Sequence, residues 1–420
     1  MQLAFKTGFF KRSPKKIDAH ELLALMCLES QKGSPSYNDL ASRHQSVYKK
    51  NASKQAVSKK FNPSCVLFFQ SVLAFIIQSK LSLSESEVFE KLGKYTRALV
   101  QDSTIIKLPI TLFEVFAGVS NAHISVCNAR IQGVYDLVSG SFISFSIDTY
   151  RQNDISVAPE LEIRKGDLTI RDRGYYSNAE LKRHVDAEAD CIYRYKSKNT
   201  FFNPESKKAI NILELLKKEG SIDMEVLLND ENRTKVRLIG VPVSDEVSNL
   251  RRMKAKKENK VHNPSKELLD LMSWTIFVTT ISKEKADFVK VLALYGLRWR
   301  IETIFKSWKS NMEFAKVHRV SENQLRVLLT ARFIMIVICM DIIFKPWSQR
   351  IRKKYNRELS MLKLFKYLKI NPEKITEILS IISKPNKTII KNIDEVLIRY
   401  CTYDKRKLLN FNQIALLTLS

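Results

Sequence analysis

The stretch 294-LYGLRWRIETIFKSWKSNMEF-314 carries two patterns at helical spacing. At about 100° per residue, its apolar side chains fall on one broad arc, which is typical of a helix packed against a core. The residues of this arc are Leu297, Ile301, Ile304, Phe305, Trp308 and Met312. We therefore predict one long helix over 294–314.

A second strip of this predicted helix is polar. Tyr295, Arg298, Glu302 and Lys309 lie within roughly 60° of one another on the helical wheel, so one carboxylate shares a strip with two cations and a phenol. The alternative interpretation is a solvated face, on which Arg298 and Glu302 form an i,i+4 pair that stabilises the helix by about 0.2–0.5 kcal/mol.

The composition predicts a polyanionic partner. The 420 residues include 70 Lys and Arg against 44 Asp and Glu, a net charge of +26 that is spread along the chain. Nucleic acid fits best, because neutralising its phosphates releases counterions; an anionic membrane surface is the alternative. Six scattered cysteines and six histidines without ligand spacing predict neither a disulfide framework nor a structural zinc site, which fits a reducing cytosol.

Neither candidate targeting or membrane segment of the sequence has the pattern that such a signal needs. The start MQLAFKTGFFKRSPKK has no apolar region or cleavage site of the kind that a secretory signal needs. The most lipid-like run is 328–344, but Arg332 and Asp341 interrupt it, and the remaining apolar core is too short to span a bilayer. We predict a buried helix there.

The first 95 residues read as helical. Within them, 36–44 and 53–61 look like two short helices, each with a Ser at the N-cap position. Such a pair could form a helix-turn-helix whose second helix, carrying Lys54, Gln55, Lys59 and Lys60, enters a DNA major groove. The alternative is a plain helical bundle with charged ends.

The middle of the chain alternates strands and helices, which predicts a mixed α/β sheet. Strands are predicted over 97–109, 123–138, 141–150, 190–196 and 273–281, with a helix over 178–189. The stretch 167–177 is predicted as a short strand that ends in Asp172 and Gly174. The first three strands form a meander with a turn at Ser139 and Gly140. Residues 200–271 are predicted as a β-rich insertion with an exposed basic loop over 250–260, and the chain after about 320 is helical and basic, with turns at Pro372 and Pro385.

Three acidic residues could meet in this fold. Asp102 and Asp172 lie at the ends of predicted strands, and Glu302 projects from the helix that would pack on the sheet. Converging carboxylates can hold two divalent cations for phosphodiester chemistry, and hard oxygen ligands favour Mg²⁺ or Mn²⁺. The structural alternatives are that Asp102 caps a turn through Ser103 and Thr104, and that Asp172 opens the turn DRGY.

At these residues the sequence resembles the DDE transposases of bacterial insertion sequences, in the insertion-sequence-four branch with the pattern Y-(2)-R-(3)-E-(6)-K. The pattern stands complete as Tyr295, Arg298, Glu302 and Lys309, inside YGLRWRIETIFKSWK. The strings VQDSTIIKLP and DLTIRDRGYYS are similar to the strands that carry the family's two aspartates. The resemblance covers roughly residues 50 to 330.

The resemblance implies an RNase H-like catalytic domain, interrupted by the β-rich insertion, in which Asp102, Asp172 and Glu302 bind two Mg²⁺ or Mn²⁺ ions. Tyr295, Arg298 and Lys309 would hold backbone phosphates of double-stranded DNA, at the transposon ends and at the target. Trp274 stands where a relative stacks a tryptophan on a flipped base. Stacking of that kind is worth about 1–3 kcal/mol per base, although a tryptophan that begins a strand is as often part of the core.

We therefore predict a transposase that binds terminal inverted repeats, cuts DNA by way of a hairpin and transfers the strand, acting as a homodimer on DNA in the bacterial cytoplasm and nucleoid, away from the membrane. The alternatives are a repressor or domesticated relative that binds without cutting, and an RNase H-like nuclease without transposition. The predicted regions are a DNA-binding region (1–95), the catalytic domain in two parts (96–199 and 272–330), the insertion (200–271) and a C-terminal region for dimerisation (331–420).

Overall fold

The computed structural model contains two compact units that interleave along the chain. It describes residues 1–12, 16–79, 95–118, 126–151, 161–197, 199–258, 263–311, 313 and 315–403. The helical unit comprises the described parts of 1–87, 103–152 and 300–413. The sheet unit comprises the described parts of 88–102 and 153–299. Each unit is assembled from segments that are far apart in sequence.

The elements of the described residues are as follows. The strands are β1 (Arg97–Lys107), β2 (Asn128–Asp136), β3 (Ser141–Thr149), β4 (Asp167–Arg171), β5 (Asp190–Arg194), β6 (Phe201–Phe202), β7 (Ile222–Leu228), β8 (Lys235–Pro242) and β9 (Trp274–Thr279). The helices are α1 (Gln2–Lys6), α2 (Ala19–Glu29), α3 (Tyr37–Tyr48), α4 (Lys54–Ser58), α5 (Pro63–Gln78), α6 (Asn178–Asp186), α7 (Ile212–Glu219), α8 (Asp245–Glu258), α9 (Lys266–Leu271), α10 (Phe288–Gly296), α11 (Trp299–Asn311), α12 (Glu322–Val337), α13 (Lys345–Tyr355), α14 (Met361–Ile370), α15 (Glu373–Ser383) and α16 (Lys387–Cys401).

The strand order is that of a mixed sheet. In the sheet unit the order is β1-β4-β5-β9-β8-β7-β6; the β1–β4 and β4–β5 pairs are parallel, and the pairs from β5 to β6 are antiparallel. In the helical unit the order is β3-β2-β1, with β2 and β3 antiparallel. The mixed sheet confirms the predicted α/β class, and the order β3-β2-β1 confirms the predicted meander.

The strands of the predicted insertion extend the sheet of the sheet unit. Strand β8 pairs with β9 from Arg237 opposite Thr279 to Pro242 opposite Trp274, and β7 pairs with β8 in turn. An unpaired edge of β9 would expose a row of backbone donors and acceptors. Residues 200–271 therefore satisfy the backbone of β9 while they bury the apolar side chains of β7 and β8.

The predicted basic loop over 250–260 is wrong for residues 250–258, which belong to helix α8; residues 259 and 260 lie outside the described residues. Helix α8 has Asp245 and Glu246 in its first turn and Lys256 and Lys257 in its last turn. Charges in these positions complement the helix macrodipole, with acids at the positive end and bases at the negative end. This arrangement stabilises a helix that has little apolar periodicity.

The prediction of one continuous helix over 294–314 is also wrong. Helix α10 ends at Gly296 and α11 begins at Trp299. Between them, the Leu297 N–H donates to the Leu294 carbonyl at 3.1 Å and the Arg298 N–H to the Tyr295 carbonyl at 3.0 Å. These i→i−3 bonds tighten the chain, and Gly296 has a low helix propensity, so the helical path breaks at the centre of the polar strip.

The apolar arc of α11 is buried as predicted. Ile301, Ile304, Phe305 and Trp308 are all at most 4% exposed, while Met312 lies outside the described residues. Strand β2 meets this helix at Gly133, where an added Cβ would lie 3.2 Å from Cζ of Phe305. A larger residue at position 133 would therefore displace the rings of Phe142 and Phe305 by a few tenths of an ångström.

The N-terminal helices begin where the sequence predicts them. Helix α3 begins after Ser36, whose hydroxyl accepts from the Asp39 N–H at 3.1 Å, and α4 begins after Ser53, which accepts from the Ala56 N–H at 3.2 Å. Capping of this kind satisfies backbone donors that have no partner inside the helix. Helix α4 has only five residues, so it is shorter than the predicted 53–61.

The most lipid-like segment of the sequence is part of a continuous helical stretch, Glu322–Tyr355, in which a π-helical turn (Ile338–Phe344) joins α12 to α13. By length and composition this stretch could cross a membrane, but 78% of its most apolar part is buried inside the protein. The prediction of a buried helix over 328–344 is confirmed.

The C-terminal region is helical, as predicted, as far as Cys401, where α16 ends, and residues 404–420 lie outside the described part. Asp394 of α16 is fully buried. It accepts hydrogen bonds from Arg350 of α13 at 2.8 Å and from Tyr355 at 2.9 Å. Because a buried carboxylate is costly unless it is paired, these contacts fix α16 against α13.

A buried carboxylate in the N-terminal helices gives a testable dependence on pH. Burial alone would raise the pKa of Glu21, but hydrogen bonds from Lys50, from the Asp18 backbone and from His44 outweigh it and lower the pKa to about 2. A carboxylate with a lowered pKa stabilises the fold above its unfolded pKa, about 4.3, and this contribution is lost as the pH falls through the folded value.

We therefore expect Glu21→Gln to lower the free energy of unfolding by a constant amount above about pH 5. The difference from the wild type should shrink steadily as the pH falls from about 4.5 towards 2. Urea unfolding across this range measures the difference directly. Glu395→Gln, which changes a carboxylate that is 64% exposed, is the control, and a Glu21 difference that did not change with pH would contradict the assignment.

Candidate active site

Two of the predicted acids lie side by side because of the strand register. In the parallel pair β1–β4, Gln101 is opposite Arg171, so the next residues, Asp102 and Asp172, occupy neighbouring positions on adjacent strands. Adjacent strands are about 4.8 Å apart. Asp172 directly follows the last residue of β4 in an extended conformation, immediately before a 3-10 turn over Arg173–Tyr175. The two carboxylates therefore lie side by side where β4 ends, although Asp102 is in the middle of β1 and not at the strand end that the sequence predicts.

Two residues of the polar strip contact these carboxylates. A guanidinium nitrogen of Arg298, Nη1, lies 3.3 Å from Oδ2 of Asp102, and the Tyr295 hydroxyl donates to Oδ1 of Asp172 at 3.3 Å. The Arg298 guanidinium also lies over the Tyr295 ring, 5.6 Å from its centroid. The break between α10 and α11 places Tyr295 at the end of one helix and Arg298 between the two, so both side chains reach the acids.

Tyr295, Arg298 and Asp102 are all partly shielded from solvent. Burial raises the pKa of the Tyr295 phenol, so the hydroxyl stays protonated and remains a donor at neutral pH. The Arg298 side chain is 12% exposed and Asp102 is 20% exposed. A solvated face is therefore the wrong interpretation for Arg298, which is an ion-pair partner of Asp102.

The remaining two residues of the strip belong to the helical unit. Glu302 is half-buried in the first turn of α11, and Lys309 is exposed in its last turn. In the part of the chain that the structure describes, no group of three or more His, Cys, Asp or Glu side chains is arranged to hold a metal ion. The acids that the strand register brings together are Asp102 and Asp172.

Trp274 begins β9, as the sequence predicts, and combines two environments. Its indole N–H donates to the Gly220 carbonyl at 2.7 Å, and its ring packs against the buried apolar side chains of the sheet unit. The same residue lines a cleft that contains Asp172 and Arg298. The tryptophan is therefore partly core and partly a wall of the cleft.

Sequence reasoning missed four basic residues of this cleft: Arg173, which follows Asp172, Arg194, which ends β5, and Arg251 and Lys254, which belong to α8. The signal for α8 was present in its acidic first turn and basic last turn. No local pattern could indicate that α8 returns to the end of β4, because that contact depends on the path of the whole insertion.

Two adjacent carboxylates held by an arginine and a phenol, on a mixed α/β sheet in a strongly basic chain, are the features of an enzyme that acts on nucleic acid. Residues 95–338, more than half of the chain, match the family model described as "Transposase DDE domain". The chain belongs to this family, and it is a DNA transposase whose catalytic domain contains a mixed α/β sheet.

Individual relatives agree with the family match. The chain is 26% identical over 412 residues to the transposase for insertion sequence element IS231E of Bacillus thuringiensis subsp. finitimus, covering 90% of this chain and 86% of the relative. It is 29% identical to that of IS231C of Bacillus thuringiensis subsp. berliner, covering 86% and 80%. It is 27% identical to that of IS1151 of Clostridium perfringens, covering 78% and 74%.

Among solved structures, a chain of the piggyBac transposase synaptic complex with hairpin DNA is similar with a TM-score of 0.42 and 11% identity, covering 98% of this chain and 83% of that one. Membership of the DDE family implies that the enzyme uses a divalent metal ion and that its partner is DNA.

Proposed function

We propose that this transposase binds the terminal inverted repeats of an insertion sequence, cuts the DNA there and joins the freed end to a target by cut-and-paste transposition. The observation that carries the proposal is the β1–β4 register, which sets Asp102 beside Asp172 within reach of Arg298 and Tyr295. This is a charged, partly buried site at which a phosphodiester could be held.

Asp102, Asp172 and Glu302 are the residues that would hold two Mg²⁺ or Mn²⁺ ions. The two aspartates offer hard oxygen donors from adjacent strands, which suits these cations. Glu302 follows Arg298 by four residues in the chain, and Arg298 itself contacts Asp102. When bound, divalent ions lower the pKa of water and stabilise charge on the attacking and leaving oxygens.

The other residues of the strip would position the DNA. Arg298 and Tyr295 hold the two aspartates in fixed orientations, so the carboxylates need little reorganisation when substrate binds. The cationic side chains of Arg298 and Lys309 can donate to phosphate oxygens of the cleaved end. The face of Trp274 that lines the cleft could stack on an unpaired base.

Recognition of the ends would fall to the N-terminal region, 1–95, through helices α3 and α4. Lys54, Gln55 and Lys59 are exposed on or beside α4, as a helix that enters a major groove requires. Lys60 is engaged differently, because its ammonium lies 4.2 Å from the centroid of the Phe10 ring and burial lowers its pKa. We propose that Lys60 supports the fold of this region.

Concerted cutting of two ends requires two protomers, so we propose a homodimer on DNA with the C-terminal region, 331–420, as its interface. The catalytic domain, 96–199 and 272–330, would contain the chemistry, and 200–271 its insertion. The reaction would proceed by way of a hairpin intermediate on the nucleoid, in the bacterial cytoplasm.

A strand-transfer assay tests the proposal. We expect purified protein, incubated with a labelled duplex that carries the element's own end, to give nicked, hairpin and joined products with Mg²⁺ or Mn²⁺ and none with EDTA. The alternative is a repressor or domesticated relative that occupies DNA without cutting. Binding of the labelled end without any metal-dependent product would favour that alternative and contradict our proposal.

A further inference from the structure

The cleft beside Asp172 has an excess of positive charge that the catalytic roles above do not use. It measures about 350 Å³, which is within the range of ligand-binding pockets, and all of its lining residues belong to the sheet unit. Its charged lining consists of Asp172 and five cationic side chains, Arg173, Arg194, Arg251, Lys254 and Arg298. One of these cations, Arg298, is paired with Asp102.

One face of helix α8 forms part of the wall of the cleft. Arg251, Lys254 and Ala255 line the cleft, and residues at i, i+3 and i+4 share one side of a helix. The adjacent Arg252 points elsewhere: it donates to the Leu269 carbonyl at 3.1 Å and to the Ser273 hydroxyl at 2.6 Å. Two neighbouring arginines of α8 therefore have different environments.

The Arg251 guanidinium is oriented by neutral groups. It donates to the Trp274 carbonyl at 3.2 Å and to the Thr275 hydroxyl at 3.0 Å. Burial lowers the pKa of Arg251, and the positive charge of Arg194 lowers it further. Two guanidinium groups that repel each other beside a cleft are stabilised when an anion binds between them.

We propose that Arg251 and Lys254 of α8, together with Arg194 of β5, form an anion site that binds one backbone phosphate of the DNA strand held at Asp172. This inference rests on the proposed function, because the phosphate belongs to the DNA that the enzyme cuts. It gives α8 a binding role separate from the Tyr295, Arg298 and Lys309 strip. Planar arginine side chains suit phosphate because they donate two parallel hydrogen bonds.

The dependence of DNA affinity on salt tests this site. Each phosphate contact contributes about 0.9 to the slope of log affinity against log salt concentration. We expect Arg251→Gln to reduce the slope for the element's end by about 1 and to weaken binding about 10-fold or more. Arg251→Lys keeps the charge, so it should keep the slope while it loses part of the affinity.

Arg252→Gln is the matched control, since it removes an arginine one position away that does not line the cleft. It should lower the melting temperature and leave the salt slope unchanged. If Arg251→Gln lowered only the melting temperature and kept the wild-type slope, Arg251 would be a purely structural residue and the anion site would be wrong. Failure of the wild-type protein to give any metal-dependent product from the labelled end would instead contradict the proposed function, whatever the slope of the Arg251 variants.

Discussion

Glu302→Gln is expected to abolish DNA cleavage and strand transfer while end binding stays within a few-fold of the wild type. Glutamine has nearly the same shape but lacks the charge that a metal ligand needs. A loss of about 4 kcal/mol of transition-state stabilisation corresponds to a rate decrease of about 10³-fold. Binding should persist because the removed charge is negative, and phosphate attraction comes from Lys and Arg. Gel assays of cleavage and of binding on the same labelled end measure both effects.

The matched control for this variant is Glu322→Gln in α12. Glu322 is 41% exposed and pairs with Arg326 at 2.8 Å, an i,i+4 contact of the kind that contributes little to stability. We expect the control to cut DNA at the wild-type rate. Asp102→Asn and Asp172→Asn should behave like Glu302→Gln, whereas cleavage at full rate by any of the three would remove that residue from the proposed metal site.

Arg332→Met is expected to have the largest effect on stability. Arg332 is 1% exposed within α12, and its guanidinium donates to the carbonyls of Ser30 at 3.1 Å, Gly33 at 2.8 Å and Lys316 at 3.0 Å. Burial lowers its pKa to about 10, so it remains charged at neutral pH. Methionine would leave three carbonyls without this donor, at about 1 kcal/mol or more each. We expect a loss of at least about 3 kcal/mol in denaturant unfolding.

Two further variants test whether the loss of stability comes from these three hydrogen bonds or from a general sensitivity of α12 to substitution. Arg326→Met removes a half-buried arginine with a surface ion pair and should cost about 1 kcal/mol or less. Arg332→Lys keeps the positive charge but lacks the planar guanidinium with its several N–H donors, so its loss of stability should be smaller than that of Arg332→Met. A change below about 1 kcal/mol for Arg332→Met would show that the three carbonyls find other donors, and would contradict our account.

Local sequence patterns predicted much of the fold because they depend on interactions between residues that are close in sequence. The hydroxyls of Ser36 and Ser53 cap helices where the sequence places them, and the turn at Gly140 adopts a φ of +62°, which glycine allows without strain. Alternation of apolar residues predicted β1 to β5 and β9 in the correct places. The resemblance to DDE transposases, carried by the four residues of the Y-R-E-K pattern, predicted the family that the comparison then confirmed.

The errors came from features that depend on tertiary contacts. A helical wheel assumes a continuous helix, so it could not predict the break at Leu297 and Arg298. The low helix propensity of Gly296 was the one local signal for it. The polar composition of 250–260 resembled a loop, because amphipathicity is weak in a helix stabilised mainly by its end charges. The pairing of Asp102 with Arg298 joins residues far apart in sequence, and only the folded sheet reveals it.

The packing of the N-terminal helices has a consequence for synthesis on the ribosome. Within the helical unit, α2 and α5 pack against α12, which is translated long after them. At about 5–20 residues per second, the two early helices wait on the order of ten seconds or more for this partner. A polypeptide that stops before α12 therefore cannot bury the apolar faces of α2 and α5 against it. In such a truncated transposase the proposed DNA-binding region, 1–95, lacks the packing partner that α12 provides.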